Sequence, residues 1–231
     1  MADIYLLPML LAENSHNKAL TPEALFHLKR IKVLFVENLK TTRRFLSSLK
    51  AGIIIDEIRF IEMSEKEDIT HLYTLLVELD QDAGIISEAG CAGVADPGAF
   101  VVEVAHQVGL RVVPLVGPSS ILLALMASGF NGQSFVFHGY LPIKEDEKSK
   151  KLKQIDRDSS QKKQTQIFIE TPYRNNQMLQ SIIKHVNPQT KLCVACDINS
   201  ENEYIKTKSI AAWASKNLPD LNKRPTVFLL G

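Results

Sequence analysis

Short apolar runs that alternate with longer segments of 3.6-residue period are the feature that most restricts what this 231-residue chain can fold into. A run of about five apolar residues suits a buried strand, and amphipathic segments between such runs suit helices, so the pattern predicts an α/β fold. Strands are expected at 3–7, 33–37, 58–61, 84–87 and 111–115, then at 134–138, 166–170, 192–198, 203–207 and 226–230. Helices are expected between them. One opens at Thr21-Pro22 and runs to about Ile31, and the next covers 41–49; a third begins at Ser64, where Glu67 completes a capping box, and reaches Leu79. Another opens at Asp96-Pro97-Gly98, with Asp96 placed to cap the first free amides. The later helices are expected at 119–128, 144–163, 175–186 and 209–216.

The length suits two modest domains or one large α/β unit. Pro114-Leu115-Val116-Gly117-Pro118 is a rigid, turn-prone bridge, and the charge balance changes sign there. The expected domains are therefore 1–115 and 116–231. Residues 1–110 hold 10 Lys and Arg against 16 Asp and Glu, whereas residues 111–231 hold 17 against 10. The basic second half suits an anionic partner such as nucleic acid; it also suits two oppositely charged surfaces that dock. Residues 144–163 carry eight Lys or Arg and five Asp or Glu with no aromatic among them, which fits a solvated helix or a phosphate-contacting arm. No apolar run reaches the roughly 18 residues of a membrane-spanning helix. The chain opens without a basic leader, so a cytoplasmic location and no membrane partner are expected.

The common nucleotide signatures are missing: there is no G-x-x-x-x-G-K-[ST] loop and no G-x-G-x-x-G after the first strand. Cys193 and Cys196 form a C-x-x-C within an apolar strand, where alternation turns the thiols to opposite faces, and no second pair completes a zinc site. No metal is expected. The most informative stretch is Ser87-Glu88-Ala89-Gly90-Cys91-Ala92-Gly93-Val94-Ala95-Asp96-Pro97-Gly98. Small residues between a strand end and a helix start let a ligand approach the backbone, although a merely tight turn has the same composition. Gly117-Pro118-Ser119-Ser120 has similar character, with one hydroxyl needed as a helix cap and the other left for a ligand.

Together these residues resemble a known family. Glu88-Ala89-Gly90, Asp96-Pro97-Gly98, Val113-Pro114-Leu115-Val116-Gly117-Pro118-Ser119-Ser120, Ala127-Ser128-Gly129, Gly139-Tyr140-Leu141-Pro142 and Glu170-Thr171-Pro172-Tyr173-Arg174 occur in the order seen in the tetrapyrrole methylase superfamily. Within it, the chain is most similar to the branch that methylates a ribose 2′-hydroxyl of small-subunit ribosomal RNA. The resemblance implies two α/β domains with S-adenosylmethionine in the cleft between them, and commonly a homodimer. Carried over by position, the cofactor contacts fall on Pro8, Glu88, Ala89, Gly90, Val94, Ser119, Ser120, Glu170, Pro225 and Thr226.

Two segments depart from the branch pattern. Its Thr-Pro-Ile-Gly-Asn-Leu is replaced by Pro8-Met9-Leu10-Leu11-Ala12-Glu13-Asn14, and its Glu-Asp-Thr-Arg by Glu37-Asn38-Leu39-Lys40-Thr41-Thr42-Arg43. By the same resemblance Glu37 is the candidate base and Arg43, or Arg44, the candidate holder of a phosphate or carboxylate. Glu37 could equally end a strand and pair with a neighbouring Lys or Arg. The expected activity is ribose 2′-O-methylation of RNA. Methylation of a corrin or porphyrin carbon, with a tetrapyrrole as substrate, and cofactor binding without catalysis are the alternatives.

Overall fold

A computed structural model describes residues 2–63, 69–214 and 217–231. The chain divides into two compact units, Met1–Ser119 and Ser120–Gly231, each built on its own five-stranded sheet.

In the first unit the order is β1 (Asp3–Leu6), α1 (His16–Ala19), α2 (Pro22–Arg30), β2 (Val33–Val36), α3 (Leu39–Ser48), β3 (Arg59–Glu62), α4 (Ile69–Val77), β4 (Ala83–Ile86), α5 (Gly98–Gln107) and β5 (Arg111–Pro114). The residues of the expected capping box, Ser64 and Glu67, lie outside the described residues. Thr21 caps α2 by accepting from the Ala24 amide at 3.1 Å, with Pro22 in the first turn where no donor is lost. The next helix starts two residues earlier than its period suggests, because the Asn38 side chain accepts from the Thr41 amide at 3.0 Å and serves as its cap.

All pairings in this sheet are parallel and the strand order is β3-β2-β4-β1-β5. The chain therefore moves one way along the sheet through β1, β2 and β3, then returns past β1 through β4 to β5. Right-handed crossovers put outward and return connections on opposite faces. The core divides accordingly: α2 and α3 bury Leu28, Phe45 and Leu46 on one face, and α4 and α5 bury Leu72, Leu76, Val101 and Val104 on the other. Strand periodicity feeds both, as Val33 and Phe35 join one cluster while Leu34 and Val36 join its opposite.

The second unit contains α6 (Ser120–Ser128), β6 (Phe135–Tyr140), α7 (Glu145–Lys162), β7 (Thr165–Ile169), α8 (Asn175–His185), β8 (Lys191–Cys196), β9 (Tyr204–Ser209), α9 (Ile210–Trp213) and β10 (Thr226–Leu230). Its sheet runs β6-β7-β10-β8-β9, parallel only between β6 and β7. Leu152, Ile155, Met178, Ile182 and Trp213 pack from α7, α8 and α9 onto one face. The Trp213 indole donates to the Leu192 carbonyl at 2.9 Å, which satisfies its one polar atom in the core. Helix α6 packs against β8, β9 and β10, and Thr207 donates to the Ser128 carbonyl at 2.8 Å. Cys193 and Cys196 are both fully buried in β8, where burial pushes each thiol above its ordinary pKa and keeps it protonated.

Gly84 is the tightest position of the first sheet. A Cβ there would meet the Leu7 side chain and come within 2.8 Å of Leu34 Cδ2, and Leu7 and Leu34 are themselves buried with no room to retreat. Gly84→Ala is expected to lower the unfolding free energy by about 1–3 kcal/mol, the usual cost of overpacking, as read from urea denaturation.

Candidate active site

Parallel strands deliver their carboxyl ends to one edge of the sheet, so the segments after β1, β2, β4 and β5 lie together. Backbone bonds fix them there. The Leu7 amide donates to the Ile85 carbonyl at 2.9 Å, and the Met9 amide donates to the Gly90 carbonyl at 2.8 Å. The Cys91 thiol donates to the Pro118 carbonyl at 3.3 Å. Two glycines permit this closeness. A Cβ on Gly117 would overlap the Pro8 ring, and Gly90 has φ +76° with Pro118 O only 3.2 Å from where its Cβ would stand.

Glu37, at the end of β2, spans to the same loop. Its Oε2 accepts from the Glu88 amide at 2.8 Å, a bond to backbone in place of the Lys or Arg pairing that its position also allowed. Partial burial raises the Glu37 carboxyl above the ordinary glutamate range; the neighbouring Asp96 and Glu88 charges push the same way, and the Glu88 amide opposes them. Asp96 folds the far limb of the loop. Its two oxygens accept from the Gly98 amide at 2.6 Å and the Val94 amide at 3.1 Å, while burial raises its carboxyl too.

The first unit thus brings together Pro8, Glu88, Ala89, Gly90 and Glu37, with the 117–118 turn that leads into Ser119. Pro8 and Gly90 are buried, Glu88 and Ala89 are exposed, and Val94 stands on the exposed far limb of the loop. Arg43 is elsewhere: itself exposed to solvent, it pairs with exposed Asp56 at 3.3 Å and lies over the half-buried Phe60 ring.

In the second unit Ser120 begins α6, and Glu170 and Thr226 are brought side by side, one step beyond the paired Ile169 and Val227. Glu170 is buried and accepts from its own neighbour's amide, Thr171, at 2.6 Å and from Arg174 at 2.7 Å. Thr226 donates to the Arg224 carbonyl at 3.0 Å, and Asn175 donates to that same carbonyl at 2.7 Å. The Asn175 Oδ1 and the Arg174 Nε are buried there without a partner among the described residues. Pro225 is exposed at the mouth of this cluster.

A cavity of about 390 Å³ opens at the carboxyl edge of the first sheet. Its walls are the loop from Met9 to Asn14, the loop residues Glu88 and Ala89, and Thr41, Arg44, Phe45 and Ser48 of α3. Those four α3 positions recur at intervals of three and four, which puts them on one side of the helix. Thr41 donates to Glu88 Oε1 at 3.4 Å and joins two of the walls. Sequence reasoning named Arg44 only as a substitute for Arg43, and the phase of α3 is the signal that separates the two.

The Glu37 shift predicts a pH dependence. A carboxyl held above its ordinary value binds its proton more tightly in the folded state, so its contribution to stability is present below the unfolded value and fades as pH rises through the folded one. Wild type should therefore gain stability relative to Glu37→Gln, whose amide oxygen can still accept from Glu88, as the pH falls from about 7 to about 4. Parallel denaturation series check this, and a constant difference between the two proteins contradicts it.

Comparison with known proteins agrees with this architecture. No protein-family model matches the chain. A protein of Vibrio cholerae named ribosomal RNA small subunit methyltransferase I is 28% identical over 211 residues, covering 91% of this chain and 71% of that protein. The protein of the same name from Escherichia coli O157:H7 is 27% identical over 216 residues, with 91% and 71% covered. That of Mesorhizobium japonicum is 33% identical over 134 residues, with 58% and 44% covered. Among solved structures, the methyltransferase CobJ superposes with a TM-score of 0.65 at 14% identity, covering 100% of this chain and 94% of its own. The uroporphyrin-III-C-methyltransferase of Thermus thermophilus gives 0.54 at 16% identity, with 100% and 92% covered. The chain is thus a homologue of the ribosomal RNA small subunit methyltransferases I, built on the tetrapyrrole methylase fold.

Proposed function

We propose that this chain is an S-adenosylmethionine-dependent methyltransferase that modifies a ribose 2′-hydroxyl of small-subunit ribosomal RNA. The observation that carries the reading is the likeness to relatives of that name, 28% identity across 91% of this chain and 71% of the relative. Likeness to the tetrapyrrole enzymes is of fold alone at 14–16% identity. A cytoplasmic homodimer is the state in which we expect it to work.

The loops suit the cofactor chemically. S-adenosylmethionine carries a sulfonium and an ammonium, and the carboxylates of Glu37, Glu88 and Asp96 stand at one edge of the sheet with small residues between them. By the resemblance, Pro8, Glu88, Ala89, Gly90, Val94, Ser119, Ser120, Glu170, Pro225 and Thr226 are the residues that would hold it. When bound, the cofactor supplies an electrophilic methyl group, and the bonding pair stays on sulfur as the methyl moves to oxygen. The chain's own task is to position the acceptor and exclude water. Glu37 uses Oε2 to hold the Glu88 amide, which leaves Oε1 to take the hydroxyl proton; partial burial raises its pKa and makes it the better proton acceptor. Arg43, bound to Asp56, would act from outside the cavity, on RNA backbone rather than on the reacting nucleotide.

The second unit offers a surface for that backbone. Lys150, Lys153 and Arg157 are exposed on one side of α7 at intervals of three and four, and among the described residues none has an ion pair. Lys148 and Lys162 on the same helix, and Lys144 at its N-cap, are paired with Glu145, Asp158 and Glu147.

With methyl-labelled cofactor, transfer to small-subunit ribosomal RNA should appear in dinucleotides that survive alkali, because a methylated 2′-oxygen cannot attack the adjacent phosphate. Transfer to uroporphyrinogen III and none to RNA would establish the tetrapyrrole reading instead; cofactor binding with no transfer to either would make this a binding protein. Binding to single-stranded RNA should weaken steeply with salt. Neutralising Lys150, Lys153 and Arg157 together should flatten the log–log slope by about 2, at roughly 0.7 per phosphate contact. An unchanged slope removes α7 from the RNA surface.

A further inference from the structure

The cavity of the first unit has a mixed lining that selects among ligands. Arg44 is its one cation, Glu13 and Glu88 are its carboxylates, and Thr41, Ser48 and Asn14 add hydroxyl and amide groups. Met9, Leu10, Leu11, Ala12, Phe45 and Ala89 supply apolar wall. Among the described residues the Arg44 guanidinium has no hydrogen-bond or ion-pair partner, whereas that of Arg43, one residue away, is held by Asp56. A free arginine in a cavity with an apolar wall fits a ligand that has one anionic group and a flat body. The carboxylates require that body to bring hydrogen-bond donors. A tetrapyrrole bearing several carboxylates would set them against Glu13 and Glu88 with a single cation in return, and two like charges in a half-enclosed space repel. A nucleotide meets each condition: phosphate, planar base, and amino and hydroxyl donors.

We propose that this cavity seats the acceptor nucleotide and that Arg44 holds its phosphate through its guanidinium fork. The choice of a nucleotide deepens the RNA reading given above and rests on it. Of the residues expected to hold the cofactor from the first unit, only Glu88 and Ala89 line the cavity; Pro8, Gly90, Val94 and Ser119 do not. The cavity is then a neighbour of the cofactor's place, sharing one loop with it. Glu88 has a part in both, through its backbone amide on Glu37 and its carboxylate beside Thr41.

The test is calorimetric titration of the full chain with the four nucleoside 5′-monophosphates, the matching nucleosides, uroporphyrin III and S-adenosylmethionine. For at least one base, wild type should bind the monophosphate about tenfold more tightly than the nucleoside. Arg44→Gln should remove that preference, Arg44→Lys should keep part of it, and Arg43→Gln should keep all of it. Cofactor affinity should be equal in all four proteins, which also reports that they are folded. A phosphate preference that survives Arg44→Gln, or is lost equally in Arg43→Gln, overturns the assignment. So does a matching loss of cofactor affinity in Arg44→Gln, which would give the cavity to the cofactor, or binding of uroporphyrin III in place of any nucleotide. Absence of methyl transfer to ribosomal RNA, with Arg44-dependent nucleotide binding intact, would defeat the proposed reaction and leave this site standing.

Discussion

A hydrogen bond from the Glu88 amide to the Glu37 carboxylate at 2.8 Å joins the end of β2 to the loop after β4. Those two strands are neighbours whose onward connections leave in opposite directions, and this bond, with the Glu37 amide on the Ile86 carbonyl at 3.1 Å and Thr41 on Glu88 at 3.4 Å, holds the segments beyond them together. The bond has a cost. It keeps a carboxylate partly buried next to Asp96 and Glu88, and burial raises its pKa. On the opposite flank, the bond from the Met9 amide to Gly90 and the packing of Gly117 on Pro8 close the loop against β1 and β5. The loop from Glu88 to Gly98 is thereby held on both sides, which is what a positioned binding surface needs.

The same geometry explains why the cavity lies where it does. Helix α3 starts at Leu39 because Asn38 caps it, and that start fixes the phase of every residue after it. Thr41, Arg44, Phe45 and Ser48 then face the loop after β1, while Arg43 turns onto Asp56 and Phe60. One residue's difference in phase is about 100° of rotation, enough to send adjacent arginines to different surroundings. In the second unit, the ion pair of buried Glu170 with half-buried Arg174 and the shared Arg224 carbonyl tie the start of α8 to the start of β10.

Much of this was legible in the sequence, for identifiable reasons. Strand and helix alternation is written in apolar period, and the expected bounds of β10 match the observed ones because the apolar run Val227 to Leu230 follows Pro225 and a β-branched Thr226. Asp-Pro-Gly points to Asp96 as a partner for the first free amides of α5; its carboxylate does accept from the Gly98 amide, although the cap position itself falls on Pro97. Other features were not legible. His16–Ala19 is a single turn with no side-chain cap bond, too short to show a period. The Asn38 cap was hidden because Glu37-Asn38 reads as the tail of a strand, and with it went the phase that distinguishes Arg44 from Arg43. The approach of Gly117 to Pro8 links residues more than a hundred positions apart, and no local pattern reports it.

The reading as a ribosomal RNA methyltransferase rests on the relatives of that name, and the chemistry of the carboxyl edge is compatible with it. The most direct measurement is mass-spectrometric mapping of small-subunit ribosomal RNA from cells with and without this protein. The account requires that one ribose 2′-O-methyl group disappear in its absence and return when the intact gene is restored. An unchanged methylation map would contradict it.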